Sequence, residues 1–468
     1  MVEEKKDQAS PPLEKNMKQI TPYGINRYVL LTIYCVFCCL TTSAIQQSIC
    51  IRFIMIKLGA YEWLCDQNQY ELLPSGARCK AQDNYITSCW TAGIIAPNII
   101  LSILGGGKFF DTIGPKLTGF IGQLMFIFGI LMFCISNSSL PLYPLGFILI
   151  GLPQGPIFNS VVSITNLFPN HENQIISILS TMGDLSAFVF YIIYYLHNYS
   201  GISLRTILSI YSILICGTLA TVAIVLIPRN SFEKVSSMNN DINSDSQSES
   251  INYTPSLHYK PLKEQLYSSF FILLLPYFTL TVFRSDSIKA CLDTFLFETG
   301  NVDITLVRSQ MTIFSTLQCF SFLFSLANGF IMDKIGVSRG ILLQNTLGIT
   351  VSFLFLFNLP HYVRIISFFI FFTYSSCIYS TAYCYLAECF GFSNINFLMA
   401  LTTAPAGFIY MTIPLMYSSL SPSKYFYFHL FYVIASFIMF ITPINLLIND
   451  PNKDKTQESG TSLIQEKA

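Results

Sequence analysis

Two short stretches of this sequence, GKFFDTIGPK at residues 107–116 and GFIMDKIGVSR at residues 329–339, follow one pattern. Each reads Gly-x-x-x-Asp-x-x-Gly, with a basic residue two or three positions further on. Each also follows an apolar segment long enough to cross a bilayer, which takes about 20 residues. The repeat therefore predicts two related halves that carry the same motif at the same place.

The spacing of this motif has a physical interpretation as a tight connection between closely packed helices. The first glycine allows close helix packing, the aspartate can accept from a helix N-terminus, and the second glycine permits a tight turn. The alternative is a pair of ordinary glycine-containing turns, but two copies at equivalent places favour a repeated motif. The motif residues are Gly107, Asp111, Gly114, Lys116, Gly329, Asp333, Gly336 and Arg339.

The composition places the chain in a membrane. Of its 468 residues, 52% are hydrophobic and only 11% are charged, with a net charge of zero. Soluble domains carry about 25% charged residues, because their surfaces face water. A soluble enzyme, a nucleic-acid binder with a basic face and a disordered scaffold are therefore excluded. We expect an all-α protein that crosses the bilayer several times.

Hydrophobic segments predict twelve membrane spans in two groups of six. Their predicted bounds are 28–56, 84–107, 117–136, 141–167, 173–197, 203–227, 268–290, 309–332, 339–358, 363–387, 394–418 and 425–447. A stretch rich in Asn, Ser and Asp, SSMNNDINSDSQSESINYTPS at residues 236–256, separates the groups and has too few apolar residues to fold. The predicted organisation is a cytosolic tail (1–27), a six-helix bundle (28–227), a disordered cytosolic linker (228–265), a second six-helix bundle (266–448) and a cytosolic tail (449–468).

The positions of the basic residues predict the orientation. With both termini in the cytosol, most of the 26 Lys and Arg residues lie on the cytosolic side. The polar loop between Cys65 and Cys79 then lies outside, where a disulfide between them can form. The plasma membrane is the expected location, with an intracellular organelle membrane as the alternative.

The repeated motif resembles the cytosolic loop motif of the major facilitator superfamily, whose two halves are related as parallel repeats. This resemblance implies transport by alternating access, in which the eight motif residues are the predicted gating residues. It places Asp111 and Asp333 in gating contacts rather than at the substrate. The first copy departs from the superfamily pattern at Thr112, where a basic residue is usual.

Within that superfamily the chain resembles the system-L-like transporters and the apicomplexan amino-acid transporters. The matching segments are 79–83, 166–168, 183–190, 283–284 and 385–387. Two features depart from the family pattern. Asn173 and Gln174 stand where an Arg-Ser pair is usual, and Ser375 or Ser376 stands near the place of an expected arginine. The resemblance implies a secondary transporter of neutral, cationic or aromatic amino acids, by uniport or proton coupling. A monomer is expected.

Three charged residues lie well inside predicted spans: Asp184, Arg284 and Asp286. An intramembrane charge costs about 2.5 to 3.5 kcal/mol on insertion scales, so it indicates function by default. The planar fork of Arg284 can pair with a substrate carboxylate, and Asp184 or Asp286 can take the ammonium or carry a proton. The alternative is a buried Arg–Asp pair that only fixes helix packing. Lys289 is placed at the outer end of the seventh span, from which it would reach water.

Uncharged polar residues extend the predicted substrate site. They are Thr41, Gln46 and Gln47 in the first span, Asn159 and Ser163 in the fourth, and Tyr379 in the tenth. The fourth span also contains Gly151-Leu152-Pro153-Gln154-Gly155-Pro156, which predicts a bent or broken helix. For each of these residues, interhelical hydrogen bonding or packing is the alternative.

Other chemistries have no support in the sequence. The five histidines show no metal-ligand spacing, and Walker, Rossmann and nucleophile-elbow motifs are absent. We therefore expect no enzyme, no cofactor, no metal site and no nucleic-acid partner. Two other functions stay open: a carrier of another small organic anion such as a monocarboxylate, and a non-transporting sensor on the same fold.

Overall fold

A computed structural model describes residues 21–66, 73–103, 112–168, 171–232, 257, 260–300, 303–391, 394–419 and 422–448. Throughout these ranges the regular structure is helical, and they contain no β-strand. The helices follow the predicted order of twelve spans. The predicted linker and tails lie mostly outside the described residues, apart from 21–27, 228–232, Leu257 and 260–265.

Several of the first six spans are built from two or three consecutive helices. The first span is Arg27–Thr41, Ala44–Gln46 and Ser48–Lys57; the second is Lys80–Ile103; the third is Pro115–Ile135; the fourth is Tyr143–Gly151, Gln154–Val162 and Ser163–Leu167; the fifth is Glu172–Leu185 and Ala187–Ser200; the sixth is Leu204–Ile210, the π-helix Tyr211–Cys216 and Gly217–Leu226. Single-turn 3₁₀ helices lie at Pro22–Gly24 and Glu62–Leu64.

The second six spans follow a short helix, Leu262–Leu266. The seventh span is Ser269–Gly300; the eighth is Ile304–Cys319 and Phe322–Ile335; the ninth is Val337–Leu354; the tenth is His361–Phe390; the eleventh is Ile395–Tyr410 and Ile413–Ser419; the twelfth is Pro422–Ile438 and Ile441–Ile448. We call the side on which the first span begins the near side, and the side on which it ends the far side. The near side is the predicted cytosolic side.

Length and hydropathy account for most of these spans. Among the described residues, nine helices are long and apolar enough to cross a membrane, or ten if the bent pair of the eighth span counts as one. The second and ninth spans complete the twelve at 24 and 18 residues. These two helices bury polar side chains such as Gln82, Thr91, Gln344 and Asn345 inside the protein. These polar residues lower the mean hydropathy of the two helices, but they face the protein interior and not the lipid.

Two predicted spans differ from the observed helices. The first is not continuous, because the chain leaves helical geometry between Thr41 and Ser48. The seventh was predicted to end at residue 290, but it continues to Gly300. Its charged residues lower the hydropathy of a segment that protein, rather than water, surrounds.

The second glycine of the repeated motif has the same conformation in both halves. Gly114 has φ 86° and ψ 157°, and Gly336 has φ 84° and ψ 155°. Each precedes the first residue of the next span, Pro115 or Val337. This region of backbone conformation is essentially restricted to glycine, so the two motif copies form the same turn.

Apolar residues cover the outer surface and polar residues lie in the interior, as expected for a protein in a membrane. Large apolar side chains such as Phe128, Leu214 and Phe437 are more than half exposed, on the face available to lipid. Many polar residues are buried where the helices pack on one another. The protein therefore keeps its polar groups in its interior, where the functional site must lie.

Candidate functional site

A central cavity of about 200 Å³ lies between the two halves. Its lining comes from both six-span groups and combines amides, hydroxyls and aromatic rings with one acidic and one basic side chain. The lining residues are Thr42, Ser43, Gln46, Ile94, Pro97, Asn98, Gln154, Gly155, Phe158, Asn159, Ser180, Gly183, Asp184, Ala187, Lys289, Gln318, Ser321, Phe372, Ser375, Ser376, Tyr379, Tyr383, Met399, Ala400 and Thr403.

Helix breaks shape this cavity. The first span is interrupted at 42–47, the fourth at 152–153 and the fifth at Ser186, all at mid-membrane depth. A hydrogen bond connects the breaks of the first and fifth spans: the backbone N–H of Ser43 donates to Ser186 Oγ at 2.8 Å. The predicted break in the fourth span is observed. Interrupted helices place polar backbone groups beside a cavity instead of in lipid.

Asp184 lines the cavity near the end of the first helix of the fifth span. Its Oδ2 atom is buried and has no hydrogen-bond partner within the described part of the chain. A buried carboxylate oxygen without a donor loses the hydration that it would have in water. The site therefore has an acceptor available for a cationic or N–H-bearing ligand.

Lys289 lines the opposite half of the cavity. Its Nζ lies 3.2 Å from Asp286 Oδ1 and 3.5 Å from Gln46 Oε1. The hydroxyl of Tyr410 donates to the other oxygen of Asp286 at 2.7 Å. Lys289 is only 7% exposed, so the prediction that it reaches water at the end of its span is wrong. The seventh span continues for about three more turns, which keeps this lysine in the interior.

Arg284 does not line the cavity. It is 0% exposed, and its Nη2 donates to Ser436 Oγ at 2.5 Å. Its guanidinium lies over the rings of Tyr374 and Tyr432, 5.2 and 5.5 Å from their centroids. The predicted contact of Arg284 with a substrate carboxylate therefore has no geometric basis in this structure. Arg284 is held by packing and cation–π contacts.

Asp286 also has a different partner from the one considered in the sequence. The alternative to substrate binding was a buried Arg–Asp pair, but Asp286 bonds with Lys289 and Tyr410. Asp286 is buried and does not line the cavity. It orients the lysine that does.

The structure divides the uncharged predicted residues into two groups. Gln46, Asn159 and Tyr379 line the cavity, and Asn159 Oδ1 is buried with no hydrogen bond among the described residues. Thr41, Gln47 and Ser163 do not line it. The first two make interhelical hydrogen bonds, as the alternative interpretation expected.

Specific partners explain the second group. Thr41 accepts from Gln123 Nε2 at 2.9 Å. Gln47 Nε2 donates to the carbonyl of Ser315 at 3.0 Å. Ser163 begins the last, 3₁₀ turn of the fourth span, nearer the near side than the cavity.

Sequence reasoning missed several polar lining residues, among them Lys289, Asn98, Ser180, Gln318 and Thr403. A usable signal existed for one of them, because Asn98 follows Pro97 inside an apolar helix. Polar side chains next to helix irregularities are candidates for cavity positions.

The gating motif is only partly described. Gly107 and Asp111 lie outside the described residues, as does the side chain of Asp333. Gly329 packs directly on Ser177 of the fifth span, so it allows close contact between the two halves. Lys116 lies in the first turn of the third span, and Arg339 is exposed in the first turn of the ninth. The gating role of these residues stays a prediction.

Cys65 and Cys79 are joined by a disulfide, with their Cα atoms 5.7 Å apart. Next to it, Arg78 and Glu62 form an exposed ion pair. Both features lie on the far side and belong to the first half alone.

Comparisons with known proteins give relatives but no family model that matches. The chain is 24% identical over 400 residues to the Aromatic and large neutral amino acid transporter 5-3 of Toxoplasma gondii, covering 83% of this chain and 77% of that relative. It is 27% identical over 226 residues to the Arginine transporter 1 of Toxoplasma gondii, covering 47% of this chain and 41% of that relative, so it matches less than half of that protein's length. A crystal structure of the E. coli fucose:proton symporter superposes with a TM-score of 0.55 at 10% identity, covering 90% of this chain and 98% of the symporter.

The superposition gives the chain the major facilitator fold with two six-helix bundles, and its apolar spans make it an integral, multi-pass membrane protein. Both relatives reported above are named as transporters. In sequence it is a homologue of apicomplexan amino-acid transporters, which confirms the predicted resemblance.

Proposed function

We propose that this chain carries amino acids across a membrane by alternating access, as a uniporter or with proton coupling. The observation that carries the proposal is the central cavity, which has Asp184 from one half and Lys289 from the other. An amino acid has an ammonium and a carboxylate on one carbon. Opposite charges contributed by the two halves match that pattern and also connect cargo binding to the movement of the halves.

The two charged residues take complementary parts in this proposal. The unbonded oxygen of Asp184 accepts from the cargo's ammonium, in a charge-assisted hydrogen bond. Lys289 has three N–H donors, and its contacts with Asp286 and Gln46 use two of them. Among the described residues, a third donor is left for the cargo's carboxylate. Gln46, Asn159 and Tyr379 contribute neutral contacts around it.

Lys289 thus replaces Arg284 in the role first assigned to the arginine. Charges buried in a spanning region are expensive, and those that face a cavity are retained for function. Arg284 does not face the cavity, whereas Lys289 does. Asp184 is also the residue that would carry a proton if transport is proton-coupled.

The same observation favours amino acids over the other cargo class. A monocarboxylate would use Lys289 but would place no positive group near the buried oxygen of Asp184. The relatives' names, which specify aromatic, large neutral and arginine cargo, point in the same direction. A non-transporting sensor gains no support from a cavity shared between the two halves.

Uptake of radiolabelled amino acids in oocytes tests the proposal. The wild type is screened against all twenty amino acids at two pH values, together with Asp184→Asn, Lys289→Met and the control Lys260→Met. Lys260 pairs with Glu264 outside the spans, so its loss leaves uptake unchanged. Uptake that matches water-injected cells for every amino acid, with the protein present at the surface, contradicts the proposal.

A further inference from the structure

A second charged cluster lies between the cavity and the far side of the protein. Arg52, on the last helix of the first span, bonds with Asp293 of the seventh span at 2.6 Å, and its Nη2 donates to the carbonyl of Ala290 at 2.9 Å. Asp83 of the second span lies 3.9 Å from Arg52 Nε. Arg52 is 5% exposed, and the two aspartates are 4% exposed. Among the described residues, Arg52 therefore has an acidic neighbour in each half.

Neighbouring polar contacts join the halves between the cavity and this cluster. Gln318 Nε2 donates to the carbonyl of Gln46 at 2.6 Å. Cys50 Sγ lies 2.9 Å from Ser315 Oγ. These contacts lie on the far-side flank of the cavity, at positions that must separate before the cavity can open to that side.

The energetics of this cluster suit a contact that forms and breaks. In a dry interface the attraction of a close ion pair is strong, but it is offset by the hydration that both ions lose. When water enters an opening interface, that hydration returns. A buried ion pair can therefore hold an interface closed without making the open form inaccessible, as tight apolar packing would.

The cluster is also one helical turn from the cargo site. Lys289 and Asp293 lie four residues apart on one face of the seventh span, and Ala290 follows Lys289 directly. A displacement of the seventh span at the cavity therefore moves the acceptors of Arg52.

We propose that the Arg52–Asp293 pair is the gate that closes the cavity toward the far side. The pair breaks when that side opens, and Asp83 then keeps Arg52 paired within its own half. The two aspartates thus have opposite effects: Asp293 stabilises the closed gate, and Asp83 stabilises the open one.

A native cysteine reports on this gate. Cys50 is buried in the interface, two residues before Arg52, and becomes reachable by a thiol reagent when the halves part. Cys89 is buried within the first half, where its sulfur lies 3.2 Å from the hydroxyl of Tyr61, and serves as the internal control. The rates of maleimide labelling at both cysteines are measured by mass spectrometry on purified protein in detergent, for wild type, Asp293→Asn and Asp83→Asn.

We expect Asp293→Asn to label Cys50 faster by about tenfold, which corresponds to about 1.4 kcal/mol in the opening equilibrium. Asp83→Asn should label Cys50 at the wild-type rate or more slowly, although the chemical change is the same. Cys89 should be unchanged in both variants. An unchanged Cys50 rate in Asp293→Asn, equal increases in both variants, or a parallel rise at Cys89 overturns the proposal.

This outcome is independent of the cargo. The labelling needs no substrate, so the gate can fail its test while amino-acid uptake stands. Equally, the gate can pass its test in a carrier of some other cargo.

Discussion

The cavity pair and the gate cluster are built from the same residue types but are completed differently. At the gate, Arg52 and Asp293 are in direct contact at 2.6 Å. At the cavity, Asp184 and Lys289 line opposite halves, and one oxygen of Asp184 has no partner among the described residues. Charges in direct contact have a structural or gating role, whereas charges that line a cavity from opposite halves leave room for a ligand. The predictions below test that distinction.

The largest effect is expected at the gate. Arg52→Met removes the cation between two buried carboxylates and should lower the free energy of unfolding by about 3 kcal/mol or more, as for other broken buried pairs. The double variant Arg52→Met with Asp293→Leu should recover part of that loss, because an apolar replacement removes one of the two buried carboxylates while Asp83 stays buried. Thermal unfolding in detergent measures both variants.

The same double variant separates a gate from a permanent structural contact. If the pair must open, an apolar replacement yields a stable protein with little uptake and little labelling of Cys50. Normal uptake by a stable double variant would mean that the ion pair is only structural.

The next effect belongs to the cavity. Asp184→Asn and Lys289→Met should each lower the ratio of maximal uptake to half-saturating concentration by about 10- to 100-fold, since a hydrogen bond to a charged group contributes about 1.5 to 3 kcal/mol. Neither change should lower thermal stability as Arg52→Met does, because these charges face a cavity. If Asp184→Asn or Lys289→Met lowered the melting temperature but left uptake by the folded protein normal, the residue would have a structural role and not a binding role.

A smaller effect tests the structural role of Arg284. A Cβ at Gly348 would overlap Arg284 Nη1, so Gly348→Ala should cost about 1 to 3 kcal/mol of stability by overpacking. Gly217→Ala is the matched control, because nothing lies within 4 Å of its added Cβ. Melting temperatures compare the two. Equal melting temperatures for the two variants would show that Arg284 has room to move. The argument that Arg284 is too tightly packed to bind cargo would then fail.

The smallest effect is expected at the exposed pair of Arg78 and Glu62. The arginine side chain is 49% exposed, and such surface pairs contribute about 0 to 1 kcal/mol. Arg78→Ala should leave both uptake and melting temperature nearly unchanged. A loss of stability as large as that of Arg52→Met would show that burial does not explain the difference between these two arginines.

Most of the fold could be predicted from the sequence. Hydropathy locates the twelve spans, and the repeated motif relates their two halves, because lipid imposes apolar stretches of nearly constant length. The same rule fails where a span is surrounded by protein. The seventh span was predicted to end at residue 290, but it continues past the charged Asp293 to Gly300.

The site could be predicted only in part. Gln46, Asn159, Asp184 and Tyr379 line the cavity, since polar residues within spans avoid lipid. Which partner each residue faces depends on packing between the halves, and one sequence does not contain that information. Arg284 and Lys289 are five residues apart on one helix, yet one is enclosed by aromatic rings and the other lines the cavity.

Competition of amino-acid uptake by two analogues tests whether Asp184 and Lys289 bind the charged groups of the cargo. One analogue lacks the carboxylate of the best substrate and the other lacks its amino group. In the wild type, both should inhibit uptake more weakly than the amino acid. In Lys289→Met, the amine analogue should inhibit as well as the amino acid, and in Asp184→Asn the acid analogue should do so. If both analogues keep the same rank in all three proteins, Asp184 and Lys289 do not bind the cargo's charged groups, and the account is contradicted.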